Sequence, residues 1–164
     1  MSDLDNIEML NMEPDNLEAV HDFMLRITPE ASVDLDELAE AMLDEEDVVT
    51  IAWTPENSIA GLIWYTNWDL DGIGVHIVAV AEKWRRKGLG SRLLNLVDPA
   101  MNDVRYTMLS VKEDAYEALG FLMKCDYKVA RQFKIGEDTM YVVKKEVIKP
   151  KKLELHNRIK WRMM

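Results

Sequence analysis

A basic loop containing two glycines is the segment of this sequence best suited to bind an anion. Gly88 and Gly90 let the backbone approach a ligand closely, and Arg85, Arg86 and Lys87 add positive charge. Backbone amides at the start of a following helix would point outward and favour an anion. The loop therefore predicts a pyrophosphate site. A solvent-exposed turn that ends in glycine is the alternative, because the spacing matches neither a Walker loop nor the dinucleotide fingerprint.

Four strands are predicted before this loop, the first from alternating apolar and polar residues and the others from the turn signals that separate them. The last strand runs directly into it, so a strand, a loop and a helix form one unit. Turn-forming residues at 55–57, and Asp71 with Gly72, predict hairpins between the later strands. The predicted strands span residues 7–12, 48–53, 59–66 and 73–80.

Apolar residues at helical spacing predict two helices after the first strand. One apolar face lies within residues 17–27. Ser32 and the acids behind it predict the start of the second helix, whose buried stripe would be Leu35, Leu38 and Met42. After the loop, an apolar helix should end near Pro99.

The remaining residues predict a strand, a short helix and a final hairpin. The strand covers residues 105–109. Ser110 and Glu113 have the spacing of a capping box for a helix that Gly120 would end. The hairpin would pair residues 126–135 with residues 139–147.

Length and composition limit the classes of protein that this chain can be. Its 164 residues and 19.0 kDa suffice for one hydrophobic core, so we expect one α/β domain over residues 1–148 and a basic tail over 149–164. No apolar stretch approaches the roughly 20 residues that span a bilayer, and the first residues lack a secretory pattern. We expect a cytoplasmic protein that does not bind membranes. The single Cys125 excludes a multi-cysteine zinc site, and no metal is expected.

Charge is distributed unevenly along the chain. Residues 1–47 contain 16 acidic residues and one basic residue, Arg26, whereas the last 21 residues contain eight basic and two acidic residues. This acidic segment should repel nucleic-acid phosphates and attract cations. The alternative is a solvated acidic surface that keeps the protein soluble. We expect no nucleic-acid partner.

Two motifs resemble those of the GNAT superfamily of acyl-CoA-dependent N-acyltransferases. Residues 78–94 resemble its motif A, in which an apolar strand precedes Arg-x-x-Gly-x-Gly, here Arg85 to Gly90. Residues 115–121 resemble the downstream motif, with Tyr116 followed by Gly120 and Phe121. The motifs occur in the family's order, on the expected elements. The segment before Tyr116 is about one helical turn shorter than is usual in the family.

The resemblance implies a fold and a cosubstrate. The fold is a twisted, mostly antiparallel sheet of about seven strands and four helices, which splays between its fourth and fifth strands. Acetyl-CoA would lie in that opening. Its pantetheine arm would pair with backbone groups of Val78, Ala79 and Val80. Its pyrophosphate would lie on the loop residues Arg85, Arg86, Lys87, Gly88, Leu89, Gly90 and Ser91.

The implied reaction is attack of a neutral primary amine on the thioester, and it needs proton transfers. In family terms Tyr116 is the general acid that protonates the departing sulfur. His76 is the candidate general base, because histidine titrates near neutrality. Strict alternation places it on the side of the strand that carries Val78 and Val80. Alternatives to His76 are Asp69, Asp71 and Glu82.

The acceptor side is predicted from aromatic and acidic residues. Trp64 and Trp68 lie on the strand that approaches the acceptor in this family, and the acidic helices usually border its entrance. We therefore expect a cationic amine, such as a polyamine, an aminoglycoside or a lysine-bearing peptide. The chain would act as a monomer or a homodimer. A module of the same fold that binds acetyl-CoA or a partner without turnover is the alternative. The acids expected at the entrance are Asp34, Asp36, Glu37 and Glu40.

Overall fold

A computed structural model describes residues 3–31, 33–68 and 71–147. Within these ranges the chain forms one seven-stranded sheet with the order β1-β2-β3-β4-β5-β7-β6. The strands are β1 (Glu8–Asn11), β2 (Asp47–Trp53), β3 (Ile59–Trp68), β4 (Gly72–Val80), β5 (Tyr106–Lys112), β6 (Lys128–Ile135) and β7 (Asp138–Glu146). The α-helices are α1 (Leu17–Ile27), α2 (Leu35–Leu43), α3 (Leu89–Asn95) and α4 (Tyr116–Lys124).

The sheet opens between β4 and β5. These two strands are the only parallel neighbours among the described strands, and their register covers only residues 72–74 of β4 opposite 106–108 of β5. Beyond Gly74 the two strands separate, whereas β5 continues to pair with β7 as far as Lys112. This confirms the expected mixed sheet, splayed between its fourth and fifth strands.

Helices cover both faces of the sheet. On one face, α1 and α2 bury Phe23 and Leu38 against Leu62 of β3. On the other face, α3 and α4 bury apolar residues such as Leu93 against Ile63 of the same strand. Neighbouring residues of β3 therefore pack in different clusters, as strand alternation requires.

Both predicted ends of α4 are wrong, whereas α2 starts within the acidic segment predicted to begin it. Helix α2 begins at Leu35 and is capped by Asp34, whose carboxylate accepts the Glu37 amide at 2.7 Å; the predicted start, Ser32, lies outside the described residues. Ser110 lies within β5, because pairing with β7 extends that strand past the predicted capping box. Gly120 lies inside α4 instead of ending it. Position within a packed sheet thus overrides the local capping signal.

The predicted basic tail, residues 149–164, also lies outside the described residues. In the part of the chain that is described, no helix has both the length and the apolar character needed to cross a bilayer.

Candidate active site

A cleft of about 580 Å³ fills the opening between β4 and β5. Its walls come from β4, from β5 and α4, and from the segment after α1. It extends from the glycine loop to the end of α1. Its lining residues are Ile27, Thr28, Glu30, Ala31, His76, Ile77, Val78, Ala79, Val80, Arg85, Gly90, Leu109, Ser110, Val111, Lys112, Ala115, Ala118, Phe121, Leu122 and Met140.

The edge of β4 presents backbone groups to this cleft. The Ala81 amide donates to the Ala60 carbonyl at 2.8 Å, and opposite pairs in an antiparallel ladder alternate between bonded and non-bonded. Ala79 therefore bonds to β3, while the backbone groups of Val78 and Val80 point away from it. Their side chains still pack in the cluster under α3 and α4. The structure thus leaves two peptide groups of β4 facing the opening.

The glycine loop has two different geometric constraints. Gly88 caps α3 with φ of 89°, a left-handed conformation that favours glycine. A Cβ on Gly90 would lie 3.0 Å from Phe121 Cζ, so Gly90 lets α3 approach α4 closely. The first backbone bond of the helix runs from the Arg92 amide to the Gly88 carbonyl. The amides of residues 89–91 precede that bond and are available to a ligand in the loop.

The basic residues of the loop are placed differently from one another. Arg85 lines the cleft, and its Nε donates to the Val80 carbonyl at 3.1 Å. Lys87 Nζ lies 5.2 Å from the centre of the Trp84 ring. Arg86 has a positive φ of 62° and does not line the cleft. Leu89 is fully buried, so a ligand could meet only its backbone, and Ser91 Oγ lies 4.0 Å from Cys125 Sγ.

His76 lies at a bulge, and the strand side predicted for it is wrong. Trp64 and Tyr65 of β3 oppose Ile77 and Val75, so His76 is an extra residue in β4. Its ring lies 5.3 Å from the ring of Trp64, on the face covered by α1 and α2. The bulge therefore turns His76 away from the side chains of its neighbours Val78 and Val80, yet it still lines the cleft.

His76 is contacted by two side chains that were not predicted from the sequence. Thr66 Oγ1 lies 2.5 Å from His76 Nε2, and the Thr66 hydroxyl donates to Asp47 Oδ1. Asp47 Oδ1 lies 3.9 Å from His76 Nε2. Burial lowers the pKa of His76 below its ordinary value, and the charge of Asp47 partly opposes this. No local motif marks Asp47 or Thr66.

The three predicted aromatic residues do not line the cleft. Tyr116 is the first residue of α4 and its side chain is 78% exposed, although the adjacent Ala115 does line the cleft. Trp64 is buried against α1 and α2, and its Nε1 donates to Asp47 Oδ1 at 3.4 Å. Trp68 is partly exposed and covers Gly74 of the neighbouring strand.

The cleft has one acidic side chain among its described lining residues, Glu30, in the short turn after α1. The predicted acids of α2 do not line it, and Asp34 serves as a helix cap. Of the alternatives to His76, Asp71 and Glu82 lie outside the cleft lining, and Asp69 lies outside the described residues. Across residues 3–31, 33–68 and 71–147, no cluster of three or more His, Cys, Asp or Glu could hold a metal.

Comparison with known proteins agrees with this architecture. The sequence model described as the acetyltransferase (GNAT) family matches residues 10–127. No curated protein matches the chain in sequence.

Solved structures share the fold at low identity. An aminoglycoside 6'-N-acetyltransferase complexed with coenzyme A superposes with a TM-score of 0.72 at 16% identity, covering 87% of this chain and 99% of that one. A spermidine/spermine N-acetyltransferase from Vibrio cholerae superposes with a TM-score of 0.69 at 13% identity, covering 88% of this chain and 95% of that one. A GNAT family acetyltransferase from Elizabethkingia anophelis with acetyl-CoA bound has a TM-score of 0.64 and 17% identity, and the match covers 87% of this chain and 99% of that one.

Proposed function

Because the chain belongs to the acetyltransferase (GNAT) family, we propose that it transfers the acetyl group of acetyl-CoA to a primary amine of a cationic acceptor. The observation that carries the proposal is the opening between β4 and β5, where the peptide groups of Val78 and Val80 face a cleft that ends at the glycine loop. Those peptide groups can pair with the amides of a pantetheine arm. Arg85 and the amides of residues 89–91 suit the pyrophosphate.

The reaction is a direct transfer through a tetrahedral intermediate. The amine nitrogen forms a bond to the thioester carbon, and the carbon–sulfur bond breaks as CoA leaves as a thiolate. The Val78 amide is the proposed donor to the oxyanion, because it belongs to a peptide group that the splay leaves unpaired with β5. Tyr116 is the proposed proton donor to sulfur. Its exposed ring is free to rotate about Cα–Cβ, and its chain neighbour Ala115 lines the cleft.

His76 is the proposed base that takes the proton of the attacking amine. Burial favours its neutral form at pH 7, which is the form that accepts a proton. The ring lines the cleft between β4 and the end of α1. It therefore lies on a wall that an acceptor entering from α1 would contact.

His76→Gln should lower kcat at pH 7 by roughly 10- to 30-fold, with water replacing the base inefficiently. In the parent, kcat at saturating substrates should fall as the pH drops through the pKa of His76, below the ordinary 6.5. The variant should lack this acidic decline. Steady-state kinetics from pH 5 to pH 8 check both effects, and His21→Gln, on α1, is the matched control. A parent-like rate and pH profile for His76→Gln would remove His76 from the mechanism.

The proposed acceptor carries positive charge. Glu30 places a carboxylate on the cleft wall, and the N-terminal half of the chain, to which Glu30 belongs, is strongly acidic. An excess of negative charge on that half of the chain attracts cations over long range. The structural neighbours named for aminoglycosides and for spermidine or spermine support this class of acceptor.

With a polyamine acceptor, kcat/KM should fall about tenfold from 20 mM to 150 mM salt while kcat changes little, because salt screens long-range attraction. Glu30→Gln should reduce kcat/KM roughly threefold at low salt through loss of one nearby charge. Glu40→Gln, in α2 and away from the cleft lining, is the control. A flat salt profile, or faster turnover of a neutral amine, would contradict a cationic acceptor.

A module that binds acetyl-CoA without turnover is the second candidate, and the exposed position of Tyr116 outside the cleft lining favours it. The two functions differ in whether free CoA thiol appears. The protein should therefore be mixed with acetyl-CoA, a panel of amines and a thiol-detecting reagent. Amine-dependent release of thiol supports the enzyme, and binding of acetyl-CoA with no release supports the module.

A further inference from the structure

Three polar side chains from three neighbouring strands converge beside the cleft. Asp47 of β2 is directly opposite Thr66 of β3 in the sheet register. His76 reaches the same hydroxyl from the bulge in β4. The carboxylate of Asp47 is largely shielded, with 17% of its side chain exposed, whereas the His76 ring is 45% exposed at the cleft. The cluster therefore has a shielded end and a cleft end.

The hydrogen bonds in this cluster fix which nitrogen of His76 carries the proton. A carboxylate only accepts hydrogen bonds, and the single proton of the Thr66 hydroxyl is donated to Asp47. Thr66 Oγ1 can then only accept from His76 Nε2, at 2.5 Å. Neutral His76 must therefore carry its proton on Nε2, which leaves Nδ1 with the lone pair that can bind a proton.

The carboxylate of Asp47 favours the protonated state that follows. Asp47 lies 3.9 Å from Nε2 and would stabilise an imidazolium. The other charged side chains on the described walls of the cleft are Glu30 after α1, Arg85 in the loop and Lys112 at the end of β5. Asp47 is thus close to Nε2, the nitrogen that keeps its hydrogen, and not to the site of proton uptake on Nδ1.

We propose that Asp47 and Thr66 are positioning residues, which hold His76 in its Nε2-protonated tautomer so that Nδ1 is the base for the attacking amine. The proton moves from the amine nitrogen to Nδ1. The hydrogen on Nε2 stays in place and keeps its hydrogen bond to Thr66 Oγ1. Asp47 does not take up the proton and supplies a fixed negative charge. This inference rests on the proposed role of His76 as the base.

The test uses the full chain and begins without substrate. Long-range ¹H–¹⁵N NMR of the neutral histidine should show His76 protonated at Nε2 in the parent, and a mixture of tautomers in Thr66→Val. Thr66→Ser keeps the hydroxyl and should retain the parent tautomer. Asp47→Asn should lower the pKa of His76 further, because the charge that opposes the effect of burial is removed.

Turnover provides the second measurement. Thr66→Val should lower kcat about tenfold, and Thr66→Ser should recover it to within about threefold of the parent. Thr50→Val is the matched control, because Thr50 also bonds a side chain from within the sheet, at 3.0 Å from Asn11 Oδ1, but is not part of this cluster. It should alter neither the His76 tautomer nor kcat.

The outcomes separate this inference from the proposed function. An Nδ1-protonated His76 in the parent, or a parent-like tautomer and kcat in Thr66→Val, would overturn the positioning role. Parent-like turnover in His76→Gln would instead overturn the role of His76 as the base, whatever its tautomer. Loss of kcat in Thr66→Val with the tautomer unchanged would show a merely structural effect and would also overturn the inference.

Discussion

Gly88→Asp should weaken CoA binding about 100-fold relative to Gly88→Asn, because a carboxylate would repel the pyrophosphate at close range. Gly88 has φ of 89° and caps α3 next to the proposed pyrophosphate amides. Asp and Asn tolerate the left-handed conformation better than other side chains and have nearly the same shape. The comparison therefore isolates charge from backbone strain. Isothermal titration calorimetry with CoA gives both affinities.

The fold of each Gly88 variant can be checked independently. An added Cβ would come no nearer than 3.6 Å to its neighbour, Leu4 Cδ1, so crowding should be slight. Thermal unfolding should show similar midpoints for the Asp and Asn variants. Equal CoA affinities in two folded variants would mean that the pyrophosphate does not lie at this loop.

Tyr116→Phe should lower kcat by about 10², while the affinity for CoA changes little, as expected for loss of a general acid. A phenol hydroxyl can donate its proton to a departing thiolate. Tyr116 begins α4 beside Ala115, which lines the cleft. Single-turnover acetyl transfer under saturating acetyl-CoA measures the chemical step directly.

The matched control for Tyr116 is Tyr106→Phe at the start of β5. The Tyr106 ring packs over Gly72, where the two parallel strands still pair, and its hydroxyl is not in the cleft lining. This control should leave the rate within twofold of the parent. A Tyr116→Phe rate within twofold of the parent would show that the thiolate leaves without this acid. The exposed position of the Tyr116 ring would then be the reason.

Local patterns in the sequence were sufficient for most elements of the sheet. The turn residues at 55–57, together with Asp71 and Gly72, predicted the antiparallel β2, β3 and β4, because turn preference acts over a few residues. The helical stripe predicted α1 in the same way. The predicted start of α4 was wrong. Whether Ser110 caps a helix or lies in a strand depends on the pairing of β5 with β7, which is not a local property.

The sequence by itself determined the glycine loop between β4 and α3 and its order relative to the Tyr-x-x-x-Gly-Phe motif, since both are contiguous and constrained by local backbone geometry. Only the tertiary structure decided which side chains surround His76. One bulge residue reverses strand alternation, and a bulge depends on how two strands pair. Asp47 is 29 positions from His76 along the sequence. The two residues meet because the register of β2, β3 and β4 brings three strands together, which no spacing in the sequence encodes.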